Sequence, residues 1–325
     1  MNMFFKKLLQ EVKDVIVPLY KILIPFVFII KLLEIIGIVD FIAKAFAPLM
    51  GLIGLPAELG IIWVTALVVN IYAALILFIN ILPFLDVSVA QITVLTVAIL
   101  FCHNLLIESA ISKSAGVSFL FTSFYRFISA FFVCLILNLI YSKFNYLNEP
   151  FVTSFTVELP DEGLFAWIKD QTLYLFYILI IVVVLVTILE ILKVIGIESI
   201  LKKILIPPLR FFGISDSAMN IIVVGMTIGL QFGGGILIKE VRSGKIDKQS
   251  VFLSILMINL VHAIIEDTLL MLAVGGHFSG VFFARVIFGL GISLLMLKIY
   301  QRYNLFFEKH IFNESLRSLP AYKKV

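Results

Sequence analysis

Eight apolar runs, at 15–38, 60–81, 87–111, 117–141, 171–197, 218–238, 249–274 and 279–299, are separated along this chain by more polar stretches of varied length. Each is of membrane length or close to it, since about 20 apolar residues cross a hydrocarbon core as a helix. The pattern predicts an all-α integral membrane protein. The first run lacks the small-residue cleavage site of a signal peptide and reads as a retained helix.

Charge decides which runs cross. Lys202, Lys203 and Arg210 precede the 218–238 run, and Lys239, Arg242, Lys245 and Lys248 follow it. Basic residues mark the cytoplasmic side, so both ends of this run belong inside and the run reads as a re-entrant hairpin. Gly229-Leu230-Gln231-Phe232-Gly233-Gly234-Gly235 supplies its turn. The 60–81 run, with Asn70 and Tyr72 at its centre, has flanks that lean acidic (Asp40, Glu58, Asp86, with Lys44) and reads as a hairpin from the outer face. Lys6, Lys7, Lys13 and Lys113 then fall inside, as do Lys298, Arg302, Lys309, Arg317, Lys323 and Lys324. The stretch with Glu149, Glu158, Asp161 and Glu162 falls outside.

A shift of 159 positions carries His103 onto His262 and Glu108 onto Asp267 without a gap. It also carries Gly37, Pro48, Gly54, Gly116, Arg126 and Tyr141 onto Gly196, Pro207, Gly213, Gly275, Arg285 and Tyr300. The chain is read as an internal duplication, with a first repeat over 1–142, an extracytoplasmic linker over 143–169, a second repeat over 170–304 and a basic cytoplasmic tail over 305–325. Each repeat reads as one crossing, an amphipathic surface helix, a re-entrant hairpin and two crossings. Three crossings are an odd number, which inverts the second repeat.

Composition narrows the classes. With 62% hydrophobic and 14% charged residues, the chain is expected to hold no soluble domain of any size, and it shows no phosphate-binding loop of the GxxxxGK[ST] kind. The net charge of +4 comes from membrane flanks and does not indicate nucleic acid. Cys102 and Cys134 lie in apolar runs and read as buried thiols.

Ionisable residues inside the hydrocarbon zone are costly and are functional or paired by default. Two readings of Glu108 and Asp267 stand side by side: a working carboxylate, or a structural ion pair with Arg126 and Arg285 on the next crossing. His262 and Glu266 share a helical face. His103 and Glu108, five apart, converge only if the helix is broken between them. Lys31 with Glu34, and Glu190 with Lys193, read as pairs within one helix. Substrate contact is assigned to Asn70, Tyr72, His103, Asn104, Glu108, Gln231, Gly233, Gly234, Gly235, His262, Glu266 and Asp267. The glycines allow close backbone approach, either to a ligand or to another helix. No spacing matches a strong metal motif, no resident cofactor is expected, and no nucleophile–base pair indicates an enzyme. A proton or sodium is the expected coupling ion.

The CHNLLIESAISKSAG run at 102–116, its partner VHAIIEDTLLMLAVGG at 261–276, and the order of surface helix, hairpin and two crossings resemble the Gate, or nucleoside-recognition, domain superfamily. That group includes concentrative nucleoside transporters, the membrane part of ferrous-iron transporter B and the spore maturation proteins A and B. The resemblance spans roughly 15–300. It implies two hairpins meeting near the midplane and a homo-oligomer. The GTPase domain of the iron transporter has no counterpart here, and the acid-bearing signatures of the nucleoside carriers are missing near the hairpins.

The combined expectation is a secondary transporter of a small polar, nucleoside-like solute in the cell (inner) membrane, in contact with the lipid bilayer and with both termini cytoplasmic. A non-transporting membrane scaffold or regulator is the alternative, and a divalent-metal permease the second.

Overall fold

The computed structural model describes residues 2–153, 163–211, 216–244 and 246–320. Of the positions read above, Gly213, Glu158, Asp161, Glu162, Lys245, Lys323 and Lys324 lie outside the described residues, as do the side chains of Arg210 and Gln231. The fold is all-α: the described residues hold helices and two isolated β-bridges.

The first half of the chain gives α1 (Asn2–Ile35), α2 (Ile38–Leu52), α3 (Leu59–Val68), α4 (Ile71–Ile81), α5 (Val89–Phe101), α6 (Leu105–Ser114) and α7 (Phe119–Lys143). The second gives α8 (Leu164–Ile195), α9 (Ile197–Phe211), α10 (Asp216–Ile228), α11 (Leu230–Ser243), α12 (Lys248–Leu260), α13 (Glu266–Ala273) and α14 (Arg285–Arg302). A π-helical turn, Ser279–Ala284, leads into α14, and α15 (Asn304–His310) and α16 (Glu314–Arg317) close the chain. The 159-residue shift survives in the helices. It maps α2 onto α9 and α5 onto α12 at both ends, the start of α4 onto that of α11, and the ends of α6 and α7 onto those of α13 and α14.

Five helical stretches among the described residues are long and apolar enough to cross a membrane: Lys6–Ile35, Val89–Ser114, Phe119–Lys143, Leu164–Ile195 and Ser279–Arg302. The sixth expected crossing, 249–274, is divided between α12 and α13. This is a multi-pass membrane protein. Large apolar side chains lie exposed along α8 at Phe176, Ile180, Val184, Ile188 and Ile191, while Tyr174, Ile178, Val182 and Leu185 of the same helix are buried. Both stripes follow the helical period; the buried one packs inward, and the exposed one has the chemistry of lipid contact.

The 60–81 and 218–238 runs each give a pair of short helices, α3 with α4 and α10 with α11. α3 and α4 have 10 and 11 residues, about 15–17 Å each, too short to span a core of about 30 Å. They pack on each other, as do α10 and α11. The first pair turns at Asn70, whose extended backbone ends α3 and whose side chain accepts the Ala73 N–H at 2.8 Å, capping α4. The second turns at Gly229, whose φ of 112° is open to glycine and strained for other residues. Four residues to either side of that turn, Gly225 and Gly233 touch; a Cβ on Gly233 would fall on the Gly225 backbone.

The chain divides into two compact units, each drawing on both repeats. The first holds residues 1–99, 134–195 and 269–277, and the second 100–133, 196–268 and 278–325. In the first unit α1 packs on α8. Buried Glu190 takes Lys193 at 2.6 Å within its helix and also Lys7 of α1 at 3.0 Å, so this pair links two helices as well. Lys31 and Glu34 pair at 3.1 Å as expected. Cys134 is a buried thiol outside any disulfide, as Cys102 is in the second unit. In the second unit the segment after α14 folds back. Ser118 N–H donates to the Ile311 carbonyl at 2.8 Å, Asn313 N–H to the Gly116 carbonyl at 2.9 Å, and Lys248 N–H to the Pro320 carbonyl at 3.1 Å. Residues 311–320 thus fasten the turn between α6 and α7 and the start of α12.

Candidate functional site

Two of the membrane runs are broken at equivalent places, and both breaks lie in the second unit. α5 ends at Phe101 and α6 starts at Leu105; α12 ends at Leu260 and α13 starts at Glu266. Each break holds one non-glycine residue with left-handed backbone, Asn104 (φ 50°) and Ala263 (φ 42°), related by the repeat shift. Interrupting a helix inside a bilayer leaves polar groups that must find partners within the protein. Here they do. The Ile264 N–H donates to the Met226 carbonyl of α10 at 2.7 Å, and the new helices restart with Glu108 N–H on the Asn104 carbonyl (3.1 Å) and Asp267 N–H on the Ala263 carbonyl (2.9 Å).

The buried arginines complete the repair. Arg126 Nε donates to the Phe101 carbonyl at 3.2 Å, and Arg285 Nε to the repeat-related Leu260 carbonyl at 3.4 Å. Arg285 Nη2 also donates to the His262 carbonyl at 2.7 Å. Each cation therefore sits at a helix C-terminus, where carbonyls accumulate negative potential. Glu108 and Asp267 occupy the first turns of the helices that follow, where N–H groups favour an anion. Glu108 pairs with Arg126, and Asp267 Oδ2 with Arg285 at 3.1 Å. The expected acid–arginine pairs exist, and they serve to hold both ends of each break together.

The breaks also bring the histidines face to face. Their Nε2 atoms are 3.2 Å apart. Glu108 gives one oxygen to Arg126 and turns the other, Oε1, toward His262 Nε2 at 3.3 Å and His103 Nε2 at 3.8 Å. Asp267 Oδ2 lies 4.0 Å from His262 Nε2. His262 Nδ1 donates to the Ile258 carbonyl at 3.0 Å, which fixes the ring. His103, Glu108, Arg126, His262, Asp267 and Arg285 are all buried. Beside them Asn259, also buried, donates to Ser112 Oγ at 2.9 Å, tying α12 to α6. A lone amide in an apolar run was the available signal for Asn259.

The remaining assigned residues are placed otherwise. Asn104 forms the backbone kink and Glu266 starts α13, both half-buried. Asn70 and Tyr72 belong to the first unit, where Asn70 spends its oxygen on the cap of α4. Gly233 closes the second hairpin, Gly234 faces the Ile111 side chain of α6, and Gly235 is exposed with open space beside it. The cluster is therefore two imidazoles and two carboxylates backed by two guanidiniums, a set suited to binding a cation or passing protons.

No family model matches the chain, and no solved structure matches it. It is similar to the uncharacterized membrane protein YvoD of Bacillus subtilis (strain 168), with 28% identity over 258 residues, 78% of this chain and 81% of that protein.

Proposed function

We propose that this protein is a secondary membrane transporter, built as an inverted duplication, whose cargo passes the paired helix breaks of the second unit. One observation supports this reading above all. Two membrane helices are interrupted at repeat-related positions, and both interruptions deliver ionisable side chains to one buried cluster. Discontinuous helices with exposed ends and freed carbonyls are how transporters build midplane sites, whereas a scaffold gains nothing from two breaks that then need two buried arginines to repair them. The short hairpins, each too short to cross, fit the same architecture. The basic flanks support a cytoplasmic position for both termini, and a small polar solute, nucleoside-like by resemblance, or an ion is the cargo class.

Reconstitution into proteoliposomes tests this. Uptake of at least one member of a panel of labelled nucleosides, nucleobases and divalent metals, above that of empty vesicles and under an imposed proton or sodium gradient, is the expected result. Glu108→Gln protein should lose that uptake while remaining monodisperse. Correctly folded protein that moves nothing on the panel under either gradient would count against transport. It would favour the second reading, a membrane scaffold, for which the buried Glu108–Arg126 and Asp267–Arg285 pairs are themselves the supporting observation.

A further inference from the structure

The spacing around the two histidines points to a particular ligand, on the reading that the paired breaks are the working site. A carbonyl only accepts hydrogen bonds, so the His262 contact with Ile258 places the proton of the neutral ring on Nδ1 and leaves a lone pair on Nε2. That lone pair faces His103 Nε2 at 3.2 Å and Glu108 Oε1 at 3.3 Å. A proton on His103 Nε2 would join the two rings, but it would leave the Glu108 oxygen confronting the His262 lone pair. Electron-rich atoms held this close in a buried site repel unless a cation stands among them, either a proton on His262 Nε2 or a metal ion.

The distances are those of ligands around one ion. A four-coordinate metal bonded to imidazole nitrogen and carboxylate oxygen at about 2.0–2.2 Å separates neighbouring donors by roughly 3.3–3.5 Å. The His103–His262 and His262–Glu108 edges match this within a few tenths of an ångström. Two further edges are longer, 3.8 Å from His103 to Glu108 and 4.0 Å from His262 to Asp267, so Glu108 and Asp267 must move inward to complete a four-coordinate shell. The ligand atoms of His103, His262 and Asp267 all lie within 4.8 Å of one another. Outer partners are in place too: the Ile258 carbonyl stands behind His262, Arg126 holds the Glu108 oxygen turned away from the histidines, and Arg285 holds Asp267 through Oδ2, the oxygen that also faces His262. Such partners orient the ligands of metal sites.

We propose that His103, Glu108, His262 and Asp267 bind a divalent first-row transition-metal ion, which is the cargo. Two imidazoles with two carboxylates suit zinc, ferrous iron, cobalt or manganese; sodium and calcium prefer all-oxygen sites. The charges of the site already cancel, two carboxylates against two guanidiniums. A dication there receives no net electrostatic help, so the ion binds and leaves, as conduction requires.

The test separates binding from transport. Full-length protein in nanodiscs is titrated with cobalt(II), whose visible absorption reports four-coordinate nitrogen–oxygen ligation, and zinc-loaded protein is examined by X-ray absorption. The expected result is one ion per chain, with two imidazoles in its shell. Affinity should fall in both His103→Gln and His262→Gln by more than the roughly 10–100-fold typical of losing an outer partner. Thermal unfolding of the metal-free variants confirms that they are folded; if either glutamine variant does not fold, the asparagine variant at that position, His103→Asn or His262→Asn, is used in its place. Failure of wild-type protein to bind cobalt or zinc, or full retention of metal by folded variants, overturns the proposal. Uptake is measured on the same preparation. Metal that binds without being carried keeps the site and ends its role as cargo. A solute carried without any metal bound keeps the transport reading and removes the metal.

Discussion

The two helix breaks lie 159 positions apart and use matching residues, a histidine, an acid and an arginine, yet they differ in detail. At the first, glutamate divides its oxygens: one holds Arg126, and the other reaches the histidine of the opposite repeat at 3.3 Å. At the second, the aspartate is one methylene shorter and uses Oδ2 for both Arg285 (3.1 Å) and His262 (4.0 Å). Arg126 accompanies a single described carbonyl, that of Phe101, whereas Arg285 takes those of Leu260 and His262. The first acid thus holds the central position, and the second arginine has the larger structural task.

The largest expected effect follows from that division. Removing one partner of a buried ion pair costs about 3–5 kcal/mol, because the other charge is left without compensation. Arg285→Met also frees two buried carbonyls, against one for Arg126→Met. It should therefore lie near the upper end, about 5 kcal/mol, and Arg126→Met near about 3. Unfolding of the two variants in mixed detergent micelles, driven by dodecyl sulfate, measures the difference. Equal losses, or a larger loss for Arg126→Met, would break the proposed asymmetry between the two ends.

The hairpins offer a second comparison. The repeat shift maps Ala66 and Ala74 of the first onto Gly225 and Gly233 of the second. In the first hairpin both alanines are fully buried. In the second, the Gly233 Cα approaches the Gly225 backbone so closely that a methyl has no room. Gly233→Ala should therefore force α10 and α11 apart, at about 1–3 kcal/mol for overpacking. Loss of thermal stability with the helical signal retained is the expected observation. An unchanged melting temperature would show that the second hairpin has the same slack as the first.

Much of this was legible in the residues. The apolar runs located the membrane helices, and the ungapped match of His103 with His262 and Glu108 with Asp267 located the register that the helix ends obey. Placing His103 and Glu108 five apart already required a broken helix for them to meet. The arginine caps were hidden, because the carbonyls of Phe101 and Leu260 become available only once the helix stops. The first hairpin was ambiguous for want of glycine. Its turn is made by an amide side chain standing in for a backbone acceptor, and Asn70 in an otherwise apolar run was the visible trace. The glycines at 233 and 234, read as openings for a ligand or for helix packing, meet the Gly225 backbone and the Ile111 side chain. The exchange of segments that builds each compact unit from both repeats leaves no local pattern at all.

The smallest effect concerns the kinks themselves. Left-handed backbone costs an ordinary L-residue roughly 1–2 kcal/mol, and asparagine tolerates it better than alanine does. The first break has Asn104 there and the second Ala263. Ala263 is held by its neighbour, since the Ile264 N–H is locked on the Met226 carbonyl at 2.7 Å, and its methyl is buried. Replacing it with glycine relieves strain, yet it discards a buried methyl worth about 0.8 kcal/mol and loosens the unfolded chain. These contributions nearly offset, and Ala263→Gly should stay within about 0.5 kcal/mol of the parent. Asn104 is half-buried and has no comparable methyl to lose, so Asn104→Gly should be neutral, while Asn104→Ala should cost about 0.5–1 kcal/mol. Equilibrium unfolding of the three variants settles the order. If Asn104→Ala were neutral, the kink would be imposed by the packing around it, and the asparagine would owe its place to its polar side chain.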